Sequence, residues 1–511
     1  MRLPKIQLWM FRLAYCVFLA FFCWVSGLVV YRMFTSHLEG KPYFQFEGIY
    51  GKPLNPFGVL AGALGLAAIL SVVFRKLTTM GQQALRLCTI LLFGGFLLVQ
   101  LVFVSCFQVV PTGWDLEMVH LQAAGLAQGR NDYGYYFDDY SNNLGISCLL
   151  ALVFRLADWL GANDLVRVAT WFNIFMIDLA IWLTYLTARR LFGPGAAVFV
   201  LVLCLCFSPF ITYTPIYYTD TIALPFAAGM LYGYTAGLDK PPKRQLLYTG
   251  WAAVAGTAGA LIKPTMAILL VAVGIHGLLA SRPRQVLLQL SMLVSLWVAG
   301  QFLYAVYIDS TGILSRPYKE SGYPYTHWIM MGLKQPFGFY DADDVLYTES
   351  FSTKEARKQA NLAKIRERLR NYGAEGTIRL FAAKTIFTWG DGTYFAPVKL
   401  NRGLTGDNRL HSVFLPKDRN QNGGYIYYCQ SFQLLLLACF VRFGLNRIRS
   451  PDRSALFVCA LAVLGLGLFL LVWEDRSRYL IHFAPFMLLC CAAGFMRIPP
   501  GRNQTAKPPV S

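Results

Sequence analysis

Residues 86–120 read RLCTILLFGGFLLVQLVFVSCFQVVPTGWDLEMVH in this 511-residue chain. The apolar run over 86–109 is long enough to cross a bilayer as a helix, which takes about 20 residues. A carboxylate, Asp115, follows the run within a few residues. A carboxylate beside a bilayer is costly unless it pairs, binds an ion or takes part in chemistry. The stretch therefore predicts a membrane helix that presents a functional residue at its end.

The composition of the whole chain supports a membrane protein. Hydrophobic residues make up 56% of the chain and charged residues 14%, with a mean hydropathy of +0.45. Ordinary soluble domains are about a quarter charged, so a large soluble domain is excluded. The net charge is +19, and the lysines and arginines lie mostly in short gaps between apolar segments. This distribution indicates membrane orientation and not nucleic-acid binding. The 12 cysteines form no CxxC spacing, which argues against a zinc ribbon or a redox motif.

The pattern of apolar segments predicts an all-α polytopic protein with about 12 transmembrane helices. With the N-terminus in the cytoplasm, segments such as TARRLFG and SRPRQ all fall on the cytoplasmic side, together with both termini. The first apolar run is interpreted as a retained helix and not as a cleaved signal. The predicted spans are 8–31, 57–74, 86–109, 167–188, 195–216, 221–237, 247–263, 265–281, 286–308, 426–444, 454–473 and 478–496.

Two further regions are expected on the outer face. The run 144–161 is interrupted by Arg155 and Asp158, and we interpret it as a juxtamembrane or re-entrant helix, with a true crossing as the alternative. A large outer loop follows the ninth span. It includes TKEARKQANLAKIRERLRNYG, which is typical of a solvated amphipathic helix, and GTIRLFAAKTIFTW, which favours the membrane surface.

Two carboxylates at span ends are the candidate catalytic residues. Asp115, accompanied by Glu117 and His120, could accept a proton from an incoming hydroxyl. Asp220, in YYTDT, could share a divalent cation such as Mg²⁺ or Mn²⁺ with Asp115. The alternatives are structural, since acidic residues stabilise helix N-termini and Asp is a good N-cap.

Three cations are candidates for binding a phosphate. Lys263 interrupts the apolar stretch AGALIKPTMAILL and needs an anionic partner or a route to the surface. Arg476 and Arg478, in WEDRSRYL, lie on the outer face against the positive-inside trend, and guanidinium groups suit phosphate oxygens. Snorkelling of the lysine and pairing of the arginines with Glu474 and Asp475 are the structural alternatives.

Aromatic and amide side chains of the outer segments are candidate substrate contacts, because aromatic faces stack on sugars. Turn formation and packing explain the same residues equally well. The candidates in the first outer segment, about 111–164, are Glu117, His120, Tyr140, Asn142 and Asn143, and those in the large loop, about 310–424, are His327, Trp328, Trp389 and Asp391.

The order of these features resembles the GT-C membrane glycosyltransferases, chiefly over residues 86–308. The features are GWDLE after the span 86–109, NDLVRVAT leading to TARRLFG, a span followed by Asp220, and LIKPT at a span junction. The chain looks most similar to protein O-mannosyltransferases and aminoarabinose transferases. DDYSNNLG, at 138–145, stands where many relatives carry EKPP and is similar to the YPNN variant of some bacterial wall-assembly enzymes.

This resemblance implies an inverting transferase that uses a polyprenyl-phosphate sugar and acts on an envelope glycan, lipid or protein at the outer face of the cell membrane. Asp115 and Asp220 would stand at the reaction centre, and Lys263, Arg476 and Arg478 would bind the donor phosphate. The implied organisation is two additional helices over 1–85, a catalytic module over 86–308, an extracytoplasmic region over 309–425, and C-terminal helices with a cytoplasmic tail over 426–511. A transporter or flippase for lipid-linked substrates and a non-catalytic scaffold are the alternatives.

Overall fold

The computed structural model describes residues 5–43, 53–281, 283–415, 423–451 and 454–496. Within these ranges the chain is helical, and extended pairing is limited to one isolated antiparallel bridge between Val109 and Leu404. The predicted all-α polytopic membrane fold is confirmed. The predicted cytoplasmic tail beyond residue 496 lies outside the described residues.

The helices are numbered in chain order, and three 3₁₀ turns occur at Ser141–Asn143, Pro264–Met266 and Ser477–Phe483. The first half of the chain contains α1 (Lys5–Leu38), α2 (Pro56–Thr79), α3 (Gln82–Cys106), α4 (Asp115–Ala127), α5 (Gly134–Phe137), α6 (Leu144–Trp159), α7 (Leu165–Phe192), α8 (Pro194–Cys206), α9 (Pro209–Thr212), α10 (Thr219–Ile222), α11 (Leu224–Gly237) and α12 (Pro242–Ile262). The second half contains α13 (Ala267–Ala280), α14 (Pro283–Thr311), α15 (Tyr325–Gly332), α16 (Ala342–Glu349), α17 (Lys354–Trp389), α18 (Ala396–Arg402), α19 (His411–Phe414), α20 (Gly424–Arg449), α21 (Leu456–Val472) and α22 (Ala484–Phe495).

Among the described residues, seven helical segments are long and apolar enough to cross a membrane. They are α1, α2, α3, α7, α14, α20 and the segment Ser477–Phe495. Three shorter apolar helices, Pro194–Cys206, Pro264–Ala280 and Leu456–Val472, coincide with further predicted spans. The chain is thus a multi-pass membrane protein, while the count of twelve crossings stays a prediction.

The predicted continuous span over 195–216 is wrong in its second half. Helix α8 ends at Cys206, and a short helix, Pro209–Thr212, then leads into non-helical chain. Pro209 and Pro215 explain the break, since proline lacks the N–H of the helical hydrogen bond and clashes with the preceding turn. The broken segment places three tyrosines, Tyr213, Tyr217 and Tyr218, in the protein interior.

The helices predicted over 144–161 and in the large loop are present, and their location on the outer face stays a prediction. Helix α6 has 16 residues, fewer than the roughly 20 of a crossing, and packs on α4, α7 and α12. The amphipathic stretch and the apolar stretch after it form α17, which consists of two helices that meet at a kink, where Gly373 has a non-helical φ of +60°. The half of α17 beyond the kink packs on α1 and α21 and buries Phe387 and Trp389 within the protein.

Packing of the long helices creates one large apolar core. Helix α20 contacts α1, α2 and α22, while α11 lies between α7 and α12. A polar region lies at the edge of this core. It is formed by the start of α4, helix α10, the end of α12 and the turn Ser477–Phe483.

Candidate active site

Asp115 is held by a small hydrogen-bonded network at the start of α4. Its Oδ1 accepts a hydrogen bond from the Tyr136 hydroxyl at 3.0 Å and its Oδ2 accepts one from the Tyr218 hydroxyl at 3.2 Å. Asn143 joins the two tyrosines, because its Nδ2 donates to Tyr136 Oη at 2.9 Å and its Oδ1 lies 3.0 Å from Tyr218 Oη. The carboxylate is only half-buried, so it is both oriented and reachable.

Local backbone geometry sets Asp115 at the first turn of its helix. Gly113, with a φ of +71°, adopts the left-handed conformation that glycine tolerates, and it turns the chain from α3 into α4. Glu117 Oε2 accepts a hydrogen bond from Gly113 N–H at 2.8 Å. Glu117 thus caps the helix that carries Asp115, and the helix N-terminus favours both carboxylates.

Asp220 forms a buried cluster with two cations. It lies in α10, and its oxygens accept hydrogen bonds from Lys263 Nζ and, at 2.6 Å, from Arg478. Burial alone would raise the pKa of the Asp220 carboxyl, but the adjacent Lys263 and Arg478 outweigh it and lower the pKa to about 2. Asp220 is therefore a permanently ionised partner that holds the two cations in place.

Lys263 reaches this cluster because α12 ends immediately before it. Pro264, the first residue of the 3₁₀ turn Pro264–Met266, cannot donate a backbone hydrogen bond, and Lys263 itself is extended. The ammonium lies 4.9 Å from the centroid of the Tyr479 ring, which also contacts Arg478 at 4.9 Å. The ion pair, not snorkelling to water, accounts for the depth of this lysine.

The Arg476 guanidinium lies in an aromatic setting beside the Asp220 cluster. It lies 4.6 Å from the Phe339 ring centroid and 5.4 Å from that of Phe395, with Glu474 Oε1 3.4 Å from its Nε. The Nε atoms of Arg476 and Arg478 are both buried without a hydrogen-bond partner among the described residues. Buried guanidinium nitrogens in this state are suited to an anionic ligand.

Trp114 and Tyr218 connect the Asp115 network to the Asp220 cluster. Their rings meet edge to face with centroids 4.8 Å apart, and the Arg478 guanidinium lies over both rings, at 5.5 and 5.3 Å. The structure therefore brings the predicted residues Asp115, Asp220, Lys263 and Arg478 into one region, although they are far apart in sequence.

A fourth basic side chain, Lys399, belongs to this region and was not predicted from the sequence. It lies on α18 and is 2% exposed, with its Nζ 3.5 Å from the centroid of the Trp114 ring. In the sequence it stands in FAPVKLNRG, within a loop rich in lysine and arginine. The only signal there was the apolar character of its immediate neighbours, which a surface helix shares.

The other candidates of the first outer segment make different contacts, and some of them belong to the Asp115 network. Asn143 belongs to the Asp115 network, Asn142 donates to Asn143 at 3.3 Å, and the Tyr140 ring stacks on Tyr136 with centroids 4.8 Å apart. His120 pairs with the Tyr217 hydroxyl at 3.0 Å, and burial lowers the pKa of His120 to about 4. Their roles in substrate binding stay predictions.

The candidates of the large loop have well-defined partners within the protein. His327 Nδ1 lies 2.7 Å from Thr348 Oγ1, Trp328 stacks near Trp473, and Trp389 is fully buried against Phe22.

Asp391 organises the loop before α18. It accepts hydrogen bonds from the backbone N–H groups of Thr393 and Phe395, at 2.9 and 2.8 Å, and from Ser477 Oγ at 2.6 Å. Substrate binding by Asp391 and by the other large-loop candidates stays a prediction.

The geometry offers little to a divalent cation. Both Asp220 oxygens face cationic groups, and the described part of the chain holds no group of three or more His, Cys, Asp or Glu side chains that could bind a metal. The donor set therefore suits an ammonium and a guanidinium better than Mg²⁺ or Mn²⁺. Metal binding by Asp115 and Asp220 stays a prediction.

Two cavities lie near the site without including its carboxylates. One of about 140 Å³ is lined by residues that include Asn142, Pro264 and Trp297, next to the site residues Asn143 and Lys263. A more open one of about 530 Å³ is lined mainly by apolar residues at the end of α3 and the start of α7.

Comparison with known proteins gives one family match and several distant structural likenesses. A model of the family described as "Conserved hypothetical integral membrane protein" matches residues 56–496, whereas no curated protein sequence matches the chain. The oligosaccharyltransferase of Archaeoglobus fulgidus in the apo form is 13% identical with a TM-score of 0.42, covering 79% of this chain and 50% of that chain.

Two further solved structures also show a distant likeness. AglB from Archaeoglobus fulgidus, in complex with an inhibitory peptide and a dolichol-phosphate, is 14% identical with a TM-score of 0.41, covering 79% of this chain and 50% of that chain. ArnT from Cupriavidus metallidurans, bound to undecaprenyl phosphate, is 12% identical with a TM-score of 0.34, covering 80% of this chain and 77% of that chain. The chain thus spans half the length of the two archaeal structures, and no residue role rests on these likenesses.

Proposed function

We propose that this chain, which belongs to the family of conserved hypothetical integral membrane proteins, is a membrane glycosyltransferase that uses a polyprenyl-phosphate sugar. The acceptor would be an envelope glycan, lipid or protein at the outer face of the cell membrane. The observation that carries the proposal is the position of one oriented, half-buried carboxylate beside a buried cluster of cations, in which two guanidinium Nε atoms make no hydrogen bond to a described residue. The sequence resemblance over residues 86–308 supports the same chemistry.

Asp115 is the proposed general base. It takes the proton of the acceptor hydroxyl, and the acceptor oxygen then attacks the anomeric carbon of the donor sugar. The bond from that carbon to the phosphate oxygen breaks, and its electron pair leaves with the polyprenyl phosphate. A single displacement of this kind inverts the anomeric configuration. Tyr136 and Tyr218 keep the carboxylate oriented for the proton transfer through their hydrogen bonds.

The cations stabilise the leaving group. As the bond breaks, negative charge develops on the phosphate, and preorganised donors in a partly dehydrated site stabilise that charge strongly. Arg478 and Arg476 are the proposed phosphate ligands, since each has a buried Nε without a hydrogen-bond partner among the residues described, although Glu474 forms an ion pair with Arg476. Asp220 and Lys263 hold Arg478 in place and set the local charge.

A transfer assay tests this function. Purified protein in detergent is incubated with a panel of radiolabelled polyprenyl-phosphate sugars and crude envelope acceptors, and the anomeric configuration of the product is determined by NMR. Transfer with inversion is the expected result. Transfer with retention would contradict the single displacement. Absence of transfer with every donor, together with movement of lipid-linked sugar across liposome membranes, would favour the transporter alternative.

A further inference from the structure

Lys399 differs from the other buried lysines of the described chain in having no oxygen partner. Lys263 donates to Asp220, and Lys384 donates to the carbonyl oxygens of Gly332 and Trp473, both at 2.8 Å. Lys399 is also buried, yet its Nζ makes no hydrogen bond to a described residue and lies over the face of Trp114, 3.5 Å from the ring centroid. A cation–π contact alone does not replace the hydration that a buried ammonium loses.

The charges that face Lys399 are mostly positive. Arg402 lies on the same helix, and Arg478 and Arg476 come from the segment before the last membrane helix. Asp115, at the start of α4, is the opposing carboxylate. Burial first, and then the three guanidinium groups, lower the pKa of Lys399 to about 5 against the attraction of Asp115. Without a further anion, the amine is therefore neutral near pH 7.

The position of Lys399 is fixed by the fold. The residues that follow α18 pair with the residues that precede α4, since Val110 N–H donates to Gly403 O at 2.8 Å and Thr405 N–H donates to Gln108 O at 2.9 Å. At the other end of α18, Asp391 holds the left-handed Phe395 through its backbone N–H at 2.8 Å. The loop that carries Trp114 and Asp115 is thus tied directly to the end of α18.

An anion placed among Lys399, Arg476 and Arg478 would satisfy all three groups. It would supply an acceptor for the lysine and for the two buried Nε atoms. The Lys263 ammonium already has Asp220 as its partner and is not free to bind this anion in the same way. Because Asp220 also binds Arg478, Lys263 is a positioning residue for Arg478.

We propose that Lys399 binds a phosphate oxygen of the donor and that the site takes up one proton from solvent as this phosphate binds. The inference rests on the proposed function for the identity of the donor. Lys399 enters as an amine, gains the proton, and donates a charge-assisted hydrogen bond to the phosphate. The proton that Asp115 removes from the acceptor is a separate one, because it leaves a different atom in a later step.

Calorimetry with phosphodiesters tests the proposal. Farnesyl methyl phosphate and dimethyl phosphate each carry one negative charge throughout the neutral pH range, so the ligand's own titration does not interfere. Binding to the full-length protein in detergent is measured at about pH 7.5 in two buffers of different ionisation enthalpy, which gives the number of protons exchanged. Wild type should bind farnesyl methyl phosphate with uptake of about one proton.

Variants of Lys399 separate an ionic role from a structural one. Lys399→Arg keeps a permanent cation, so it should bind the diester without proton uptake. Lys399→Met should bind roughly 10- to 100-fold more weakly, also without uptake. Lys319→Met, at an exposed position of the same outer region, is the matched control and should behave as wild type. Melting temperatures in detergent check that each variant is folded.

The outcomes are distinct for this inference and for the proposed function. Binding without proton uptake in wild type, uptake that persists in Lys399→Met, or no binding of either diester would overturn the role of Lys399. Proton uptake that depends on Lys399, together with equal affinity for the two diesters, would support the phosphate contact while contradicting a lipid-linked donor, because a prenyl site should bind farnesyl methyl phosphate more tightly than dimethyl phosphate.

Discussion

At the scale of single residues, much of the candidate site could be predicted from the sequence, because the free-energy cost of a charge beside an apolar run is a local property. Asp115, Asp220, Lys263 and Arg478 stand at the ends of apolar runs, where a charge needs a partner, and the structure brings them together. Lys399 was not predicted, because its burial depends on how α18 packs against residues nearly 300 positions earlier, such as Trp114. The pairing of Asp220 with two cations is likewise a long-range contact that spacing does not reveal.

Tyr218→Phe tests the network around Asp115. The change removes the hydroxyl that donates to Asp115 and lies beside Asn143, while the ring remains to pack on Trp114. A hydrogen bond to a carboxylate contributes about 1.5–3 kcal/mol, so we expect kcat for sugar transfer to fall roughly 10- to 100-fold.

Tyr234→Phe is the matched control for this substitution. It removes another buried hydroxyl, which lies 2.7 Å from His276 Nδ1 within the helical core. Its kcat should remain close to that of wild type. Equal losses in the two variants would show that the effect of Tyr218 is one of general stability.

His327 predicts a loss of stability on acidification. Burial lowers the pKa of His327 to about 4, so the folded protein holds this imidazole neutral where an unfolded chain protonates it at about 6.5. The stabilising contribution is complete above pH 6.5 and disappears as the pH falls towards 4. At the limit it amounts to about 3 kcal/mol.

Melting temperatures of wild type and His327→Gln in detergent, measured from pH 7.5 to 4.5, check this prediction. The wild-type curve should fall more steeply below pH 6.5 than that of the variant. Parallel curves would mean that His327 does not contribute to the acid sensitivity.

At the scale of helices, apolar length and charge located the elements well but not their interruptions. All the predicted spans fall on helical segments, yet the segment 195–216 breaks after Cys206, where two prolines follow. The two prolines indicate a helix break, but the prediction of this span rested on the hydropathy of the whole run. The two stretches of α17 meet at the non-helical Gly373. The packing of α17 on α1 and α21 depends on long-range contacts that no local pattern encodes.

Gly145→Ala tests the close approach of α6 and α12 beside Lys263. A Cβ at Gly145 would lie well inside van der Waals contact with the carbonyl oxygen of Leu261, which is backbone and cannot rotate away. We expect a destabilisation of about 1–3 kcal/mol together with reduced transfer activity.

Gly95→Ala on α3 is the control for this substitution, because a Cβ there meets nothing within 4 Å. Alanine at that helical position should leave the melting temperature unchanged or raise it slightly. A melting temperature of Gly145→Ala equal to that of wild type would contradict the close contact between the two helices.

At the scale of the whole molecule, the fold class follows from composition, whereas orientation depends on the positions of basic loops. The positive-inside rule predicts that the Lys240 loop faces the cytoplasm and the Lys319 region faces outward. A protease site inserted after Lys240, and another inserted after Lys319 in a separate variant, test this orientation in intact and permeabilised cells. The Lys319 site should be cut in intact cells and the Lys240 site only after permeabilisation, and the reverse pattern would invert the topology.

The measurement that tests the central claim most directly compares Asp115→Asn with wild type and with the control Asp158→Asn, an exposed carboxylate on α6. Transfer from the active radiolabelled donor and binding of farnesyl methyl phosphate are both measured. Asp115→Asn should lose about 100- to 10,000-fold in transfer while it still binds the diester, because a general base acts on the acceptor. Asp158→Asn should match wild type. Undiminished transfer by Asp115→Asn would contradict the proposed mechanism.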